Sequence, residues 1–330
     1  MMGLKKALLR GIFLAAAVAA GFVALPPEAI AQKYPDKPVK IVLPFGAGGV
    51  ADVSARILAE KLSDKLGQKF FVENMPGAGG ITAARAVLSA PADGYTLGLV
   101  TNGTSISVAI FNHLPFDPLT QFEMISTIGT FNLVFAVKED SPYKTLEDFI
   151  KAAQAQPGKL NIGTINVGGT QNLGGELFKA MTKLNVVIVP FKNSPDIVVG
   201  LLRNDVQMQI DFQPAIQGQL DSKKMRAIAT SGPKRSPFLP AVPTVDEAGV
   251  KGYEVTSWNG VFAPHGTPKA VIDTINKAIR EVTADPDLKA KFAKVGIDAV
   301  ASTPDELMAR VKSDINKWSK VIADAHIPKR

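Results

Sequence analysis

From residue 39 to the C-terminus, apolar runs of strand length alternate with segments whose apolar positions recur at helical spacing. Residues 39–45, 69–73 and 95–100 read as strands, with helices predicted over 51–66 and 81–89 between them. In the first helix Val53, Ile57, Leu58 and Leu62 share a face, which predicts its burial. A second series follows: strands over 133–137, 161–165, 186–191, 206–212 and 225–229, most of them separated by helices over 145–154, 171–181, 196–202 and 215–220. Such alternation points to an α/β fold of parallel βαβ units. The Pro-rich stretch 233–243 interrupts regular structure. Beyond it lie an extended run, 253–263, and three helices over 268–283, 288–295 and 304–325. These helices have no strands to alternate with, so they must pack on a layer already built. Two α/β halves joined near Thr130 and again near Thr256, with the last helices returning to the first half, satisfy this. The expected domains are 32–131 with 256–330, and 132–255, and two crossings make a hinge.

Within this pattern an apolar segment twice runs into a glycine-rich turn, Gly46-Ala47-Gly48-Gly49-Val50 and Gly77-Ala78-Gly79-Gly80-Ile81, and a helical segment follows each time. Glycine permits positive φ and leaves no Cβ in the way, so N–H groups at the helix start can converge on a carboxylate or phosphate. The helix dipole adds a partial positive charge there. Two such turns around one cavity predict a small-anion site without a catalytic side chain. Arg56, four residues after Asp52, is placed to pair with it on a helix face. Alternation puts Trp258 and Phe262 on one strand face, where they read as core.

The N-terminus changes the compartment. Lys5, Lys6 and Arg10 precede a continuous apolar stretch over 11–25, and Ala29-Ile30-Ala31 offers a small-x-small cleavage site before Gln32. Residues 1–31 are thus expected to be a secretory signal peptide, the alternative being an uncleaved anchor. No other apolar run reaches spanning length, so the mature chain is expected in the periplasm. The 330 residues include no cysteine, which excludes a disulfide framework and a lipid-modified N-terminal Cys. Net charge is +7, of which the leader accounts for two, and what remains is dispersed with no basic run. That fits solubility and the approach of anions better than nucleic-acid binding. His113, His265 and His326 are far apart and show no metal-ligand spacing, and no G-x-S-x-G elbow exists, so neither a metal site nor a hydrolase is expected. Ser105 and Ser107 suit a helix start or a polar ligand contact.

A rival reading starts from the first turn. Gly46-x-Gly48-x-x-Ala51 follows a strand and opens a helix, and Glu73 ends the next strand, which together have the form of a dinucleotide fingerprint and an NAD-dependent oxidoreductase. Against it, Pro44-Phe45 intervene before the first glycine, a second glycine turn follows Glu73 directly, and the leader directs the chain away from soluble nicotinamide cofactors.

At the level of whole blocks, the sequence resembles the Bug family, the extracytoplasmic receptors of tripartite tricarboxylate transporters. The blocks are Tyr34-Pro35-Asp36-Lys37-Pro38-Val39-Lys40-Ile41-Val42, Pro44 to Gly49 with Asp52, and Val72-Glu73-Asn74-Met75-Pro76 with the second turn. Further on come Ala92-Asp93-Gly94-Tyr95-Thr96-Leu97, Val189-Pro190-Phe191-Lys192, Pro243-Thr244-Val245-Asp246-Glu247-Ala248-Gly249, and the block from Ser257 to Pro268. The resemblance implies a type II-like periplasmic binding protein fold, two α/β domains joined by hinge strands. It also implies a carboxylate, most simply a dicarboxylate, enclosed between them by domain closure. No cofactor is implied, the chain is expected as a monomer, and its partner is a membrane permease or alternatively a sensor kinase. Ligand contacts map to Phe45, Gly46, Ala47, Gly48 and Gly49, and to Gly77, Ala78, Gly79 and Gly80. Thr101 and Asp52 join the set, Asp52 as the residue that fixes the first turn. In the second domain the loop Asn166-Val167-Gly168-Gly169-Thr170-Gln171 corresponds. Many relatives carry Ser and, three positions later, His here, where this chain has Thr170 and Asn172-Leu173. Lys192 and Asp211 either face the cleft or are solvated loop residues, and Gly168-Gly169 alternatively forms a surface turn.

Overall fold

The computed structural model describes residues 34–165 and 167–330. The leader, its cleavage point near Ala31-Gln32 and Asn166 lie outside the described residues.

The first three strands are β1 (Val39–Leu43), β2 (Phe70–Asn74) and β3 (Thr96–Thr101), with β1 parallel to both neighbours. Helix α1 (Val50–Leu66) buries Ala55, Leu58 and Leu62, and ends where Gly67 turns left-handed at φ 72 and its N–H reaches Ser63 O. After α2 (Ile81–Leu88) and β3 comes α3 (Asn102–Ile110), capped reciprocally by Thr101 and Thr104. The sequence pattern does not predict α3, because Asn102-Gly103-Thr104 reads as a turn.

Strand β4 (Phe122–Lys138) is 17 residues long and holds the sheet together. Its first part, Phe122 to Asn132, pairs antiparallel with β9 (Thr256–Pro264). From Leu133 onward it pairs instead with β7 (Met208–Phe212) and β8 (Met225–Thr230). Beyond β7 lie β5 (Asn161–Ile165) and the edge strand β6 (Val187–Phe191), both parallel. The sheet order is β2-β1-β3-β9-β4-β7-β5-β6, with β8 on β4. The expected parallel βαβ pairing holds among β1, β2 and β3 and among β5, β6 and β7, whereas at the centre β9 runs antiparallel to β3 and β4, and β4 to β7 and β8, where the chain passes between the halves in extended strands.

Helices α4 (Leu146–Ala155), α5 (Thr170–Thr182), α6 (Ser194–Leu202) and α7 (Gln213–Asp221) cover the β5-β6-β7 half, and α8 (Lys269–Ala284), α9 (Pro286–Ala293) and α10 (Pro304–Asp324) follow β9. Thr303 and Glu306 form a capping box at the start of α10, with Pro304 in its first turn. This helix ties the molecule together. Trp258 Nε1 donates to Asp314 at 2.6 Å and Trp318 Nε1 donates to Asn102 at 2.7 Å. Leu307 and Val311 pack with Val42, Phe122 and Phe262, whereas Trp318 packs with Ile106, Leu133, Phe135 and Tyr253. Residues 37–330 form a single compact unit, within which the buried side chains fall into separate clusters.

Gly98 in β3 faces Phe262, where an added Cβ would lie 2.2 Å from the ring. Phe262 is buried and stacked on Phe122 at 3.7 Å between ring centres, so it has little room to retreat. Gly98→Ala is expected to lower stability by about 1–3 kcal/mol through overpacking, read as a lower urea midpoint at unchanged slope.

Candidate functional site

Between β1 and α1 the chain passes through Pro44-Phe45 and the exposed residues 46–49. Gly48 sits at φ 86, a conformation that disfavours any side chain, and Gly49 is the N-cap residue with no side chain capping the helix. Asp52, 3% exposed, lies beneath this turn. Its carboxylate accepts from Gly48 N–H at 2.9 Å, from Arg56 Nε at 3.0 Å and from Asn74 Nδ2 at 2.8 Å. Burial pushes its pKa up, but the Arg56 guanidinium, the Gly48 amide and Asn74 outweigh this and hold the carboxyl below its usual range. Asp52 therefore closes the turn from within, and the helix-face pairing with Arg56 is present.

The start of α5 repeats this geometry. Gly168 sits at φ 81, Gly169 is an N-cap without a side-chain cap, and Gly168 N–H donates to Asn172 Oδ1 at 3.0 Å. Gly48-Gly49-x-x-Asp52 and Gly168-Gly169-x-x-Asn172 are the same device, a left-handed glycine, an uncapped helix start and a fifth residue whose side-chain oxygen takes the glycine amide. An added Cβ on Gly168 would also meet Ile110 at 2.7 Å. Neighbouring Gln171 donates to Asp211 Oδ1 at 3.0 Å, and Asp211 also accepts from Phe212 N–H at 2.8 Å. Burial pushes the Asp211 pKa up, and the bonds from Gln171, Ser194, Phe212 and Gln209 only partly counter it.

Both helix starts open onto one cavity of about 300 Å³. Gly49, Val50 and Ala51 at the start of α1 line it together with Gly168, Gly169, Thr170 and Gln171 at the start of α5. Between them the wall is mostly apolar, with Phe45, Ile106, Phe131, Ile165 and Phe212, and polar where Thr101, Ser257 and Asn259 face in. Among the described residues no charged side chain is part of the lining. An adjoining cavity of about 150 Å³ shares Phe45, Thr101 and Gly103 with the first and adds Gly77, Gly79, Gly80 and Ser107.

Of the residues singled out in the sequence, Phe45, Gly49, Thr101, Gly168, Gly169, Thr170 and Gln171 line the larger cavity, and Gly77, Gly79 and Gly80 line the smaller. Gly46, Ala47, Gly48 and Ala78 belong to the same turns without lining either, and Asp52 is engaged below the first. Lys192 is exposed at the end of β6, away from both cavities, and Asp211 is fully buried behind Gln171. Sequence reasoning missed Phe131, Phe212, Ser257 and Asn259. The signal for the last two was available, since the alternation that buries Trp258 and Phe262 turns Ser257 and Asn259 to the opposite face. Asn259 Nδ2 donates to Ser54 Oγ at 3.0 Å, which ties the β9 floor to α1. Glu73, the acid of the nucleotide reading, pairs with Lys40 at 3.0 Å. Among the described residues no group of three or more His, Cys, Asp or Glu could hold a metal, and no helix is long and apolar enough to cross a membrane.

Comparison with known proteins places this geometry. Residues 54–327 match the family described as tripartite tricarboxylate transporter family receptor. Protein BugT of Bordetella pertussis is 32% identical over 316 residues, 95% of each chain. Among solved structures, an R. palustris protein with adipate superposes with a TM-score of 0.79 at 32% identity, covering 90% of this chain and all of that one. MatC from Rhodopseudomonas palustris with bound malate gives a TM-score of 0.72 at 28% identity, covering 88% of this chain and all of that one. The α/β fold is that of periplasmic binding proteins.

Two outcomes follow from the buried acids. Asp52→Ala leaves the Gly48 amide without its acceptor and should cost about 1–3 kcal/mol, measured by urea denaturation at pH 7. Because the Asp52 pKa is depressed, this difference should hold at and above the ordinary carboxylate range and shrink as pH falls through the depressed value. Asp211 behaves oppositely. Its raised pKa means the wild type loses stability as pH rises through the folded value, a loss that Asp211→Asn cannot undergo. The midpoint of Asp211→Asn relative to wild type should therefore rise from acid to neutral pH, and a constant difference would contradict the assignment.

Proposed function

The chain belongs to the tripartite tricarboxylate transporter receptor family, and from that premise we propose that it captures a dicarboxylate in the 300 Å³ cavity. As members of a solute-binding receptor family such chains are not enzymes, and the fingerprint at Gly46 to Ala51 is in this reading an anion turn and not a nucleotide loop. The observation that carries the proposal is the matched pair of uncapped helix starts facing one cavity with apolar walls and no charged lining residue. One carboxylate docks on the amides of α1 and the other on those of α5, each met by backbone dipoles, while the methylene chain lies against Phe45, Ile106, Phe131 and Phe212. Adipate and malate, seen in the two relatives, are both dicarboxylates, and only that class is carried over here.

In this reading residues 32–131 with 256–330 form one lobe and 132–255 the other, and they close about β4 and β9. A ligand that touches both helix starts favours the closed state because only that state offers both contacts. The protein acts in the periplasm after removal of residues 1–31 and presents its closed form to a membrane permease.

The test is a thermal-shift and calorimetric series with residues 32–330 freed of carried ligand, using linear dicarboxylates of four to eight carbons, malate, the matching monocarboxylates and NAD. A dicarboxylate at about 100 times its Kd adds about 2.7 kcal/mol of stability, enough for a shift of several degrees. Monocarboxylates should bind at least about tenfold more weakly, having lost one ionised partner. Gly48→Val and Gly168→Val should each abolish the dicarboxylate shift. Equal binding of mono- and dicarboxylates, or a shift with NAD alone, would overturn the reading.

A further inference from the structure

Thr170 lines the cavity at the start of α5, and the orientation of its hydroxyl is set from outside the cavity. Three buried side chains from three elements meet there. Trp318 of α10 and Asn102 of α3 are fully buried, and Thr170 is 9% exposed. Trp318 Nε1 donates to Asn102 Oδ1 at 2.7 Å, and Asn102 Nδ2 donates to Thr170 Oγ1 at 3.0 Å. We propose that Trp318 and Asn102 are positioning residues that fix the Thr170 hydroxyl by taking one of its two lone pairs, so that its proton is turned to a ligand carboxylate at this end of the cavity.

The argument is one of hydrogen-bond parity. An indole N–H can only donate, so the Asn102 atom facing it must be the carbonyl oxygen, which removes the usual ambiguity of an amide. The amide nitrogen is then turned to Thr170 and likewise can only donate. Thr170 Oγ1 must accept, and its own proton is left for the cavity, where Thr170 is a lining residue. Thr170 is also the first residue of α5, so this proton lies beside the main-chain amides of the same uncapped helix start. An ionised carboxylate can accept this proton together with the neighbouring main-chain amides. The relay ties specificity in the cleft to α10, whose Trp318 lies outside it.

This inference rests on the dicarboxylate reading above, and a double-mutant cycle separates the two. Asn102→Leu, Thr170→Val and the double variant are titrated calorimetrically with the linear four- to eight-carbon dicarboxylates, with circular dichroism to check folding. Thr170→Val should weaken the tightest-binding dicarboxylate by roughly tenfold or more. Asn102→Leu should weaken it comparably in the wild type and by less than about twofold in the Thr170→Val background, because it acts only through the hydroxyl. Thr170→Ser should restore both the affinity and its dependence on Asn102. Trp318→Phe, which removes the indole donor and keeps most of the bulk, should show the same non-additivity and stands in if Asn102→Leu does not fold. Losses that add independently, or an unchanged affinity in Thr170→Val, would overturn the relay while leaving the receptor reading intact. Failure of the wild type to bind any dicarboxylate would overturn both.

Discussion

A helix start leaves main-chain N–H groups without intrahelical partners, and what satisfies them decides what the helix can do. In α1 and α5 no side chain takes that role, and one hydrogen bond in each makes this possible. Asp52 accepts the Gly48 amide and Asn172 accepts the Gly168 amide, so each turn is closed from below by a residue in its own helix. The turns are shaped before a ligand arrives, and the amides beyond the N-cap stay aimed at the cavity. Asp52 is a carboxylate near the proposed anion site, yet it is engaged by Gly48, Arg56 and Asn74, so its charge is answered locally. Asn172 does the same work without charge.

The rest of the molecule holds these two turns opposite each other. Strand β4 is shared by both halves, β9 forms the floor with Ser257 and Asn259, and α10 runs across, touching one half through Leu307 and Trp258 and the other through Trp318. The same contacts that make residues 37–330 one compact unit also cross the cleft, at Asn102 with Thr170 and at Gly168 against Ile110. In the proposed closure, a change in how the lobes sit would break or form these few contacts beside the cavity, which is where a ligand would bias the movement.

Much of this was legible in the sequence. Strand and helix spacing marked nearly every element, because parallel strands and their covering helices carry strong periodic signals. Phe122 to Asn132 escaped because β4 pairs with β9 through two register shifts, which break the alternation that would announce a strand. The glycine turns were recognised but paired differently. The repeated spelling joins Gly46–Val50 to Gly77–Ile81, whereas the structural twin of the first turn is Gly168–Asn172. That equivalence lies in where φ is positive and in the side chain four residues on, with Asp and Asn interchangeable, and spelling does not register it. Asp211 and Asn102 act through Gln171 and Thr170 across long sequence separations, which no local pattern reports.

The most direct measurement is a crystal structure of the protein with its tightest-binding dicarboxylate. The account predicts one carboxylate within about 2.7–3.2 Å of main-chain nitrogens at the start of α1 and the other within the same distance of those at the start of α5 and of Thr170 Oγ1. A ligand whose carboxylates are held by side-chain cations, or that touches only one of the two helix starts, would contradict it.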